Sequence, residues 1–107
     1  MKEVINRGGY SIYPREIEKT IATLDFIAEA AVFGYPDERF GEEIKAVVSL
    51  KNTLSTQSRS QLVVVEEIKL ICRKKLAAYK CPAIIEIMDD LPRGSTGKID
   101  RQKLRDR

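Results

Sequence analysis

The stretch Leu91–Ile99, LPRGSTGKI, restricts the fold most strongly, because one proline and two glycines fall within nine residues. Such a density of proline and glycine excludes a regular helix or strand and predicts a shaped loop. Gly94 and Gly97 permit backbone angles that side chains block, so another molecule can approach the loop closely. Lys98 follows the second glycine and adds a compact positive charge on a flexible stem. The loop therefore suits contact with a phosphate or a carboxylate.

Two other interpretations of this loop have to be weighed. A phosphate-binding P-loop is excluded, because Gly94 and Gly97 lie too close together and Ile99 replaces the hydroxyl that would bind magnesium. An ordinary surface turn is the simpler interpretation, since most lysines are exposed and have no specific role. From the loop alone, a role for Lys98 stays open.

The composition fits one domain without a membrane-spanning segment. The chain has 107 residues, of which 43% are hydrophobic and 33% charged, as in ordinary soluble domains. No apolar run approaches the roughly 20 residues that cross a bilayer, and the first residues do not resemble a signal peptide. Because Cys72 and Cys81 are the only cysteines, we expect reduced thiols and a cytoplasmic protein.

The residue types exclude several kinds of site. Without histidine, His-based acid–base or nucleophilic catalysis is impossible. Two cysteines alone do not provide a zinc site, so we expect no bound metal. Segment 92–107 carries six cations and two anions, which suits an anionic ligand or partner. Its lack of aromatic residues argues against nucleic acid.

Turn residues and apolar periodicity predict the elements. Gly8-Gly9 between two short apolar segments indicates an N-terminal β-hairpin. Ser58 and Gln61 have the spacing of a capping box. The remaining segments are expected as a helix from Pro14 to about Leu24, a buried strand Glu29–Gly34, a loop Tyr35–Gly41, a half-buried strand Ile44–Leu50, a surface connection Lys51–Ser60, a helix Gln61–Tyr79, a strand Ala83–Met88 and a short helix through Arg105 capped by Asp100.

Strands and helices mix in this order without strict alternation, which predicts an α+β fold. We expect a single domain over residues 1–107, with a small sheet of about three strands flanked by helices and preceded by the hairpin.

Six segments, in order along nearly the whole chain, resemble the C-terminal domain of the adenylate-forming superfamily. That superfamily includes acyl- and aryl-CoA synthetases, peptide-synthetase adenylation domains and firefly luciferase. The segments are Lys2–Tyr10, Pro14–Glu18, Glu29–Asp37, Gly41–Glu42, Cys72–Pro82 and Leu91–Ile99. Each segment alone is weakly specific, whereas the ordered set is highly specific and favours a functional Lys98.

The resemblance implies an ATP-dependent, AMP-forming carboxylic acid–CoA ligase that works in two steps. A fatty or aryl carboxylate attacks the α-phosphate of Mg-ATP, and a thiol, commonly that of coenzyme A, then displaces AMP. A large N-terminal domain would hold most of the ATP, Mg²⁺, CoA and acyl sites, while the C-terminal domain moves between two poses as a lid. Because this chain matches only the lid, we expect the N-terminal domain to be its partner and the isolated chain to be inactive.

The resemblance also implies roles for individual residues. Lys98 matches the adenylation lysine, whose ammonium would oppose the negative charge that develops between the carboxylate and the α-phosphate. Gly97 would let this lysine enter a narrow site. Gly8 and Gly9 match the hairpin that faces the active site during thioester formation and leaves room for the pantetheine arm of CoA, with Tyr10 at its edge. Lys98 is thus the expected catalytic residue, and the other four are the expected cofactor-binding residues.

Other interpretations stay open at this point. The chain could be a stand-alone, non-catalytic module that docks a ligase or a carrier protein, or the lid of a peptide-synthetase adenylation domain. Gly8-Gly9 could be a tight turn and nothing more. A nucleic-acid-binding domain is a further class, but scattered cations without an aromatic platform suit it poorly.

Overall fold

A computed structural model describes residues 3–107. Met1 and Lys2, where the first resembling segment begins, lie outside the described residues. The elements in chain order are β1 (Ile5–Arg7), β2 (Tyr10–Ile12), α1 (Pro14–Ala22), β3 (Ile27–Asp37), β4 (Gly41–Leu50), α2 (Leu54–Gln57), α3 (Gln61–Lys75), a 3-10 turn (Ala78–Lys80), β5 (Ile84–Ile87) and α4 (Arg101–Arg105).

The five strands form one sheet in the order β2-β1-β4-β3, with β5 also paired to β4. One edge of β4 pairs along its length with antiparallel β3, and the other edge is shared by β1, at Gly41, and by parallel β5, at Lys45–Val48. The predicted α+β class is confirmed. The expected strand number was too low, because the hairpin strands join the main sheet through the pairing of Arg7 with Gly41.

The N-terminal hairpin forms as predicted. Arg7 pairs with Tyr10 across a two-residue turn, in which Gly8 and Gly9 have φ angles of +57° and +89°. Positive φ at both central residues gives the turn the twist that matches its strands, and glycine adopts it without a steric penalty. The turn is also attached to the β3–β4 turn, since the Gly8 N–H donates to the Phe40 carbonyl at 2.8 Å.

Strands β3 and β4 are longer than predicted, and the expected loop Tyr35–Gly41 is wrong. β3 continues through Asp37, so the turn occupies only residues 38–40. Pro36 is compatible with β3 because this strand lies at an edge of the sheet, where a missing N–H breaks no ladder bond. The Asp37 carboxylate closes the turn by accepting from the backbone N–H groups of Arg39 and Phe40, at 3.1 and 2.9 Å.

Strand β4 is buried on both faces, although its alternation with polar residues predicted a half-buried strand. Ile44 and Val48 belong to the main core with α1 and α3, whereas Val47 packs into a second core. Leu91 and Leu104 complete that second core from the C-terminal segment. The alternation was misleading because the covering residues come from more than forty positions further along the chain.

The helix positions agree with the sequence, but several ends do not. α1 starts at Pro14 as expected and ends at Ala22, before the predicted Leu24. α3 starts at Gln61, but Ser60 rather than Ser58 caps it by accepting from the Val63 N–H at 3.2 Å. It ends at Lys75 rather than at Tyr79, because Leu76 adopts an extended conformation with φ −118° and ψ 153°.

The two shorter helices, α2 and α4, are each capped by a side chain. α2 lies inside Lys51–Ser60, which we expected as a surface connection, and the Thr53 side chain caps it by accepting from the Thr56 N–H. α4 forms as predicted, and the Asp100 side chain caps it by accepting from the Lys103 N–H at 3.1 Å. Among residues 3–107, no helix combines the length and the apolar character that crossing a membrane would require.

The carboxylate of Glu18 joins three elements at the outer edge of β3. Its Oε2 atom accepts from the Val32 N–H at 2.8 Å and from Arg101 Nη2 at 2.6 Å. The side chain is only 16% exposed, so these bonds are partly shielded from water. Glu18 therefore fixes α4, and with it the end of the preceding loop, to α1 and to β3.

Replacing Glu18 should destabilise the fold. Glu18→Ala leaves the Val32 N–H and the Arg101 guanidinium without their acceptor, and we expect a loss of about 1–3 kcal/mol in the free energy of unfolding. Urea denaturation followed by circular dichroism measures it. Glu38→Ala is the control, because Glu38 is exposed on the β3–β4 turn and should change stability by less than about 0.5 kcal/mol. Equal losses in the two variants would contradict the structural role of Glu18.

Candidate functional site

The loop that carries Lys98 is closed by its own backbone. Arg93 and Ile99 form an isolated antiparallel bridge. Inside it, the Gly94 N–H donates to the Lys98 carbonyl at 2.8 Å and the Gly97 N–H donates to the Gly94 carbonyl at 3.0 Å. Gly97 has φ +84°, a left-handed conformation that most residues avoid. The loop therefore has a defined shape although it lies at the surface.

Lys98 is exposed and lies beside Ile99, where the backbone bridge closes the loop. In the described part of the chain, no carboxylate pairs with its ammonium group and no acceptor bonds it. The side chain is thus available to a ligand from outside the domain. Its assignment as the catalytic residue stays a prediction.

The basic C-terminal segment is largely neutralised within the fold, so its excess of cations is a weaker sign of an anionic ligand than the sequence indicated. Four arginines pair with acids from other elements, namely Arg93 with Glu29, Arg101 with Glu18 and Glu3, Arg105 with Glu3, and Arg107 with Glu86. The pKa of Glu86 is lowered from its ordinary value by hydrogen bonds from Arg107 and Lys45. Among residues 3–107, Lys98 and Lys103 are the two cations of this segment without an ion pair, and Lys98 is the one that lies in the glycine loop.

The Gly8-Gly9 hairpin presents a different surface. A Cβ atom at Gly8 would lie 3.1 Å from Phe40 Cδ1, whereas a Cβ atom at Gly9 would meet nothing within 4 Å. Tyr10 stacks on Tyr79, with ring centroids 4.3 Å apart, and remains 55% exposed. Gly9 and the Tyr10–Tyr79 pair therefore border open space next to the hairpin.

Arg7 anchors the hairpin, a role that could not be predicted from the sequence. Its Nε atom pairs with Glu43 Oε1 at 2.7 Å, its guanidinium lies 4.2 Å from the Phe40 ring centroid, and its Nη1 atom donates to the Tyr79 carbonyl at 3.4 Å. Glu43 is 36 positions away along the chain. The one available signal was a charged residue adjoining an apolar strand, which is too common to identify a partner.

The two glycine loops are attached to opposite ends of the β3–β4 ladder. The Lys98 loop is tied through Arg93 to Glu29, which pairs with Ser49, while the hairpin is tied to Phe40 and Gly41. These attachment points are eight residues apart along β4, or roughly 26 Å at about 3.3 Å per residue. The structure therefore does not bring the five predicted site residues together into one cluster.

The thiols are poor candidates for chemistry. Cys72 is fully buried, and burial, with a smaller effect of Cys81, raises the pKa of its thiol to about 11. Burial also raises the pKa of the Cys81 thiol. Within residues 3–107 there is no cluster of three or more metal-binding side chains.

Comparison with known protein families gives one match. Residues 16–98 match the family described as the AMP-binding enzyme C-terminal domain. The matched range includes β3, β4, α3 and β5 and ends at Lys98. It covers well over half of the chain.

Individual relatives agree with this match. The chain is 46% identical over 107 residues to a mitochondrial medium-chain acyl-CoA ligase of Danio rerio, covering 100% of this chain and 16% of that protein. It is similar in structure to the fatty acyl CoA synthetase of Mycobacterium tuberculosis (TM-score 0.81, 35% identity, 96% of this chain and 19% of that one). It is also similar to ATP-bound MatB from Rhodopseudomonas palustris (TM-score 0.84, 30% identity, 98% and 20%). The chain spans at most 21% of the curated relatives compared.

Removing the Arg7 side chain should destabilise the hairpin anchor. Arg7→Met leaves the Glu43 carboxylate, whose side chain is 10% exposed, without its counter-charge, and we expect a loss of about 2–3 kcal/mol in the free energy of unfolding. Adding Glu43→Gln to this variant removes the unpaired charge and should recover roughly 1 kcal/mol. Urea denaturation of the single and double variants tests both expectations.

Arg39→Met is the matched control for Arg7. Arg39 also lies over Phe40, at 5.0 Å from the ring centroid, but no ion pair of its side chain occurs within residues 3–107. If Arg7→Met costs no more stability than Arg39→Met, the pair with Glu43 is not the anchor.

Proposed function

Since the chain belongs to the family of AMP-binding enzyme C-terminal domains, we propose that it is the catalytic lid of an ATP-dependent, AMP-forming carboxylic acid–CoA ligase. The observation that carries the proposal is the ammonium of Lys98, exposed without an internal partner on a loop of defined shape. The relatives named as acyl-CoA ligases and synthetases support the reaction class. A preceding N-terminal domain of the same ligase would bind most of the ATP, Mg²⁺, CoA and acid, and residues 1–107 alone would be inactive.

The proposed reaction has two half-reactions. In the first, a carboxylate oxygen of the acid forms a bond to the α-phosphorus of ATP, and pyrophosphate leaves with the electrons of the broken P–O bond. In the second, the thiol sulfur of CoA adds to the acyl carbon, loses its proton, and AMP leaves. The acid would be a fatty or an aryl carboxylate.

Lys98 would act in the first half-reaction. Negative charge grows on the oxygen atoms between the carboxylate and the α-phosphate, and an ammonium placed there stabilises the transition state more than the ground state. A lysine bound to an acid of its own domain would have to break that ion pair first, whereas Lys98 has no such pair among residues 3–107. Gly97, with φ +84° and no neighbour within 4 Å of an added Cβ, would let the loop enter a narrow cleft.

Gly8, Gly9 and Tyr10 would act in the second half-reaction. The open space beside Gly9 leaves room for a pantetheine arm, and the stacked rings of Tyr10 and Tyr79 would border its path. The attachment of the two loops at opposite ends of one ladder supports a lid that turns a different surface toward the active site in each step. A cytoplasmic location is part of the proposal, and the free thiols of Cys72 and Cys81 fit a reducing compartment.

Lys98→Ala in the full-length ligase should impair adenylate formation most strongly. Losing one preorganised charge contact typically costs on the order of 100- to 1,000-fold in rate, whereas thioester formation from supplied acyl-adenylate should stay near the wild-type rate. Rapid-quench measurement of each half-reaction tests this. Lys75→Ala, at an exposed lysine of α3, is the control and should leave both rates unchanged. Adenylate formation at the wild-type rate in Lys98→Ala would contradict the proposed function.

A bulky residue at position 9 should obstruct the thioester step. Gly9→Ala and Gly9→Leu bear the same left-handed backbone strain, about 1–2 kcal/mol, but only leucine fills the space beside the hairpin. We therefore expect Gly9→Leu to slow thioester formation roughly tenfold relative to Gly9→Ala, with equal rates of adenylate formation. If the two variants are equally impaired in both steps, Gly9 has only a structural role.

A further inference from the structure

We propose that Arg93 is a positioning residue that holds Lys98 in place for adenylate formation, an inference that rests on the proposed function. Its guanidinium connects Gly97, the residue before Lys98, to Glu29 on β3.

Two different nitrogen atoms of Arg93 make this connection. Nη1 donates to the carbonyl oxygen of Gly97 at 3.0 Å, and Nη2 donates to the carboxylate of Glu29 on β3. Gly97 immediately precedes Lys98 in the chain, so the peptide group that leads into Lys98 is bonded to Arg93. A planar guanidinium suits this task, because its donors have a fixed fork geometry that lysine lacks.

The restraint from Arg93 acts on the glycine side of Lys98. On the other side, Ile99 packs against the second core. The bonds from Gly94 to Lys98 and from Gly97 to Gly94 shape the turn, and the bond from Arg93 holds Gly97 itself. Gly97 sits at φ +84°, where glycine has more conformational freedom than any other residue. When an ammonium group stabilises a developing charge, a displacement of about 1 Å is enough to lower the rate of the reaction.

The two bonds of Arg93 are made to the protein itself. Its Nη2 atom donates to Glu29, whose charge offsets that of the guanidinium, and its Nη1 atom donates to the carbonyl that precedes Lys98. Hydrogen bonding to Glu29, and then its negative charge, raises the pKa of Arg93 above its ordinary value, so the guanidinium stays charged. Arg93 would therefore act through Lys98.

Because the Arg93–Glu29 ion pair is exposed, its removal should affect the position of Lys98 without destabilising the fold. The side chains of Arg93 and Glu29 are 42% and 30% exposed, and ion pairs that are this accessible contribute little to folding. A variant of either residue should thus keep the fold and the melting temperature. A loss of rate in such a variant reports on the loop rather than on unfolding.

The test is a double-mutant cycle in the full-length ligase. Arg93→Ala, Lys98→Ala and the double variant are compared for adenylate formation and for thioester formation from supplied acyl-adenylate. We expect Arg93→Ala to slow adenylate formation roughly 5- to 10-fold with unchanged thioester formation. In the Lys98→Ala background, Arg93→Ala should have no further effect, because the group that it positions is gone.

Two additional variants make the result specific. Glu29→Gln keeps the size of the side chain and removes its charge, and it should slow adenylate formation about 2- to 3-fold. Arg73→Ala is the matched control, because Arg73 is an exposed arginine on α3 for which residues 3–107 offer no ion pair. It should leave both half-reactions at the wild-type rate.

The outcomes separate a failure of the proposed function from a failure of the positioning role of Arg93. If Lys98→Ala adenylates at the wild-type rate, the proposed function fails, whatever Arg93 does. If Lys98→Ala is impaired but Arg93→Ala behaves like Arg73→Ala, only the positioning role is overturned. It is also overturned if the Arg93 and Lys98 effects multiply in the double variant, or if Arg93→Ala slows both half-reactions equally.

Discussion

The antiparallel pairing of β3 with β4 holds both hydrophobic cores and both glycine loops in place. Its register runs from Ile27 opposite Leu50 to Asp37 opposite Gly41. One face of this ladder packs against α1 and α3 in the main core, and the other packs against the C-terminal segment. The two glycine loops are attached at its ends. Because both faces and both ends are used, a change in register would move the core and the two proposed functional loops together.

Charged residues determine how the loops are attached to this ladder. Glu43 on β4 binds Arg7 of the hairpin, and Glu29 on β3 binds Arg93 of the Lys98 loop. Each pair joins a loop to a strand across a long separation in sequence, where the backbone itself provides few bonds. Four of the six cations in residues 92–107 pair with acids, and of the two without an ion pair among residues 3–107, Lys98 and Lys103, only Lys98 lies in a glycine loop.

What could be predicted from the sequence was mainly local. The turn at Gly8-Gly9, the helix start at Pro14 and the cap at Asp100 each depend on residues a few positions apart, and all three are confirmed. The strand ends at Asp37 and Gly41, the burial of β4 on both faces and the joining of the hairpin to the sheet depend on distant partners. For the same reason Lys98 and the glycines could be singled out from the sequence, but the ion pairs of Arg7 with Glu43 and of Arg93 with Glu29 could not.

We propose that the ammonium at position 98 acts in adenylate formation and not in thioester formation. The most direct measurement is chemical restoration in the full-length ligase: Lys98→Cys in a Cys81→Ser background, alkylated with 2-bromoethylamine, with the unsubstituted enzyme treated in parallel. Cys72 should resist alkylation because it is buried and the pKa of its thiol is about 11. We expect alkylation to restore most of the lost adenylate formation and to leave thioester formation from supplied acyl-adenylate unchanged. No recovery of adenylate formation, or equal recovery of both half-reactions, would contradict it.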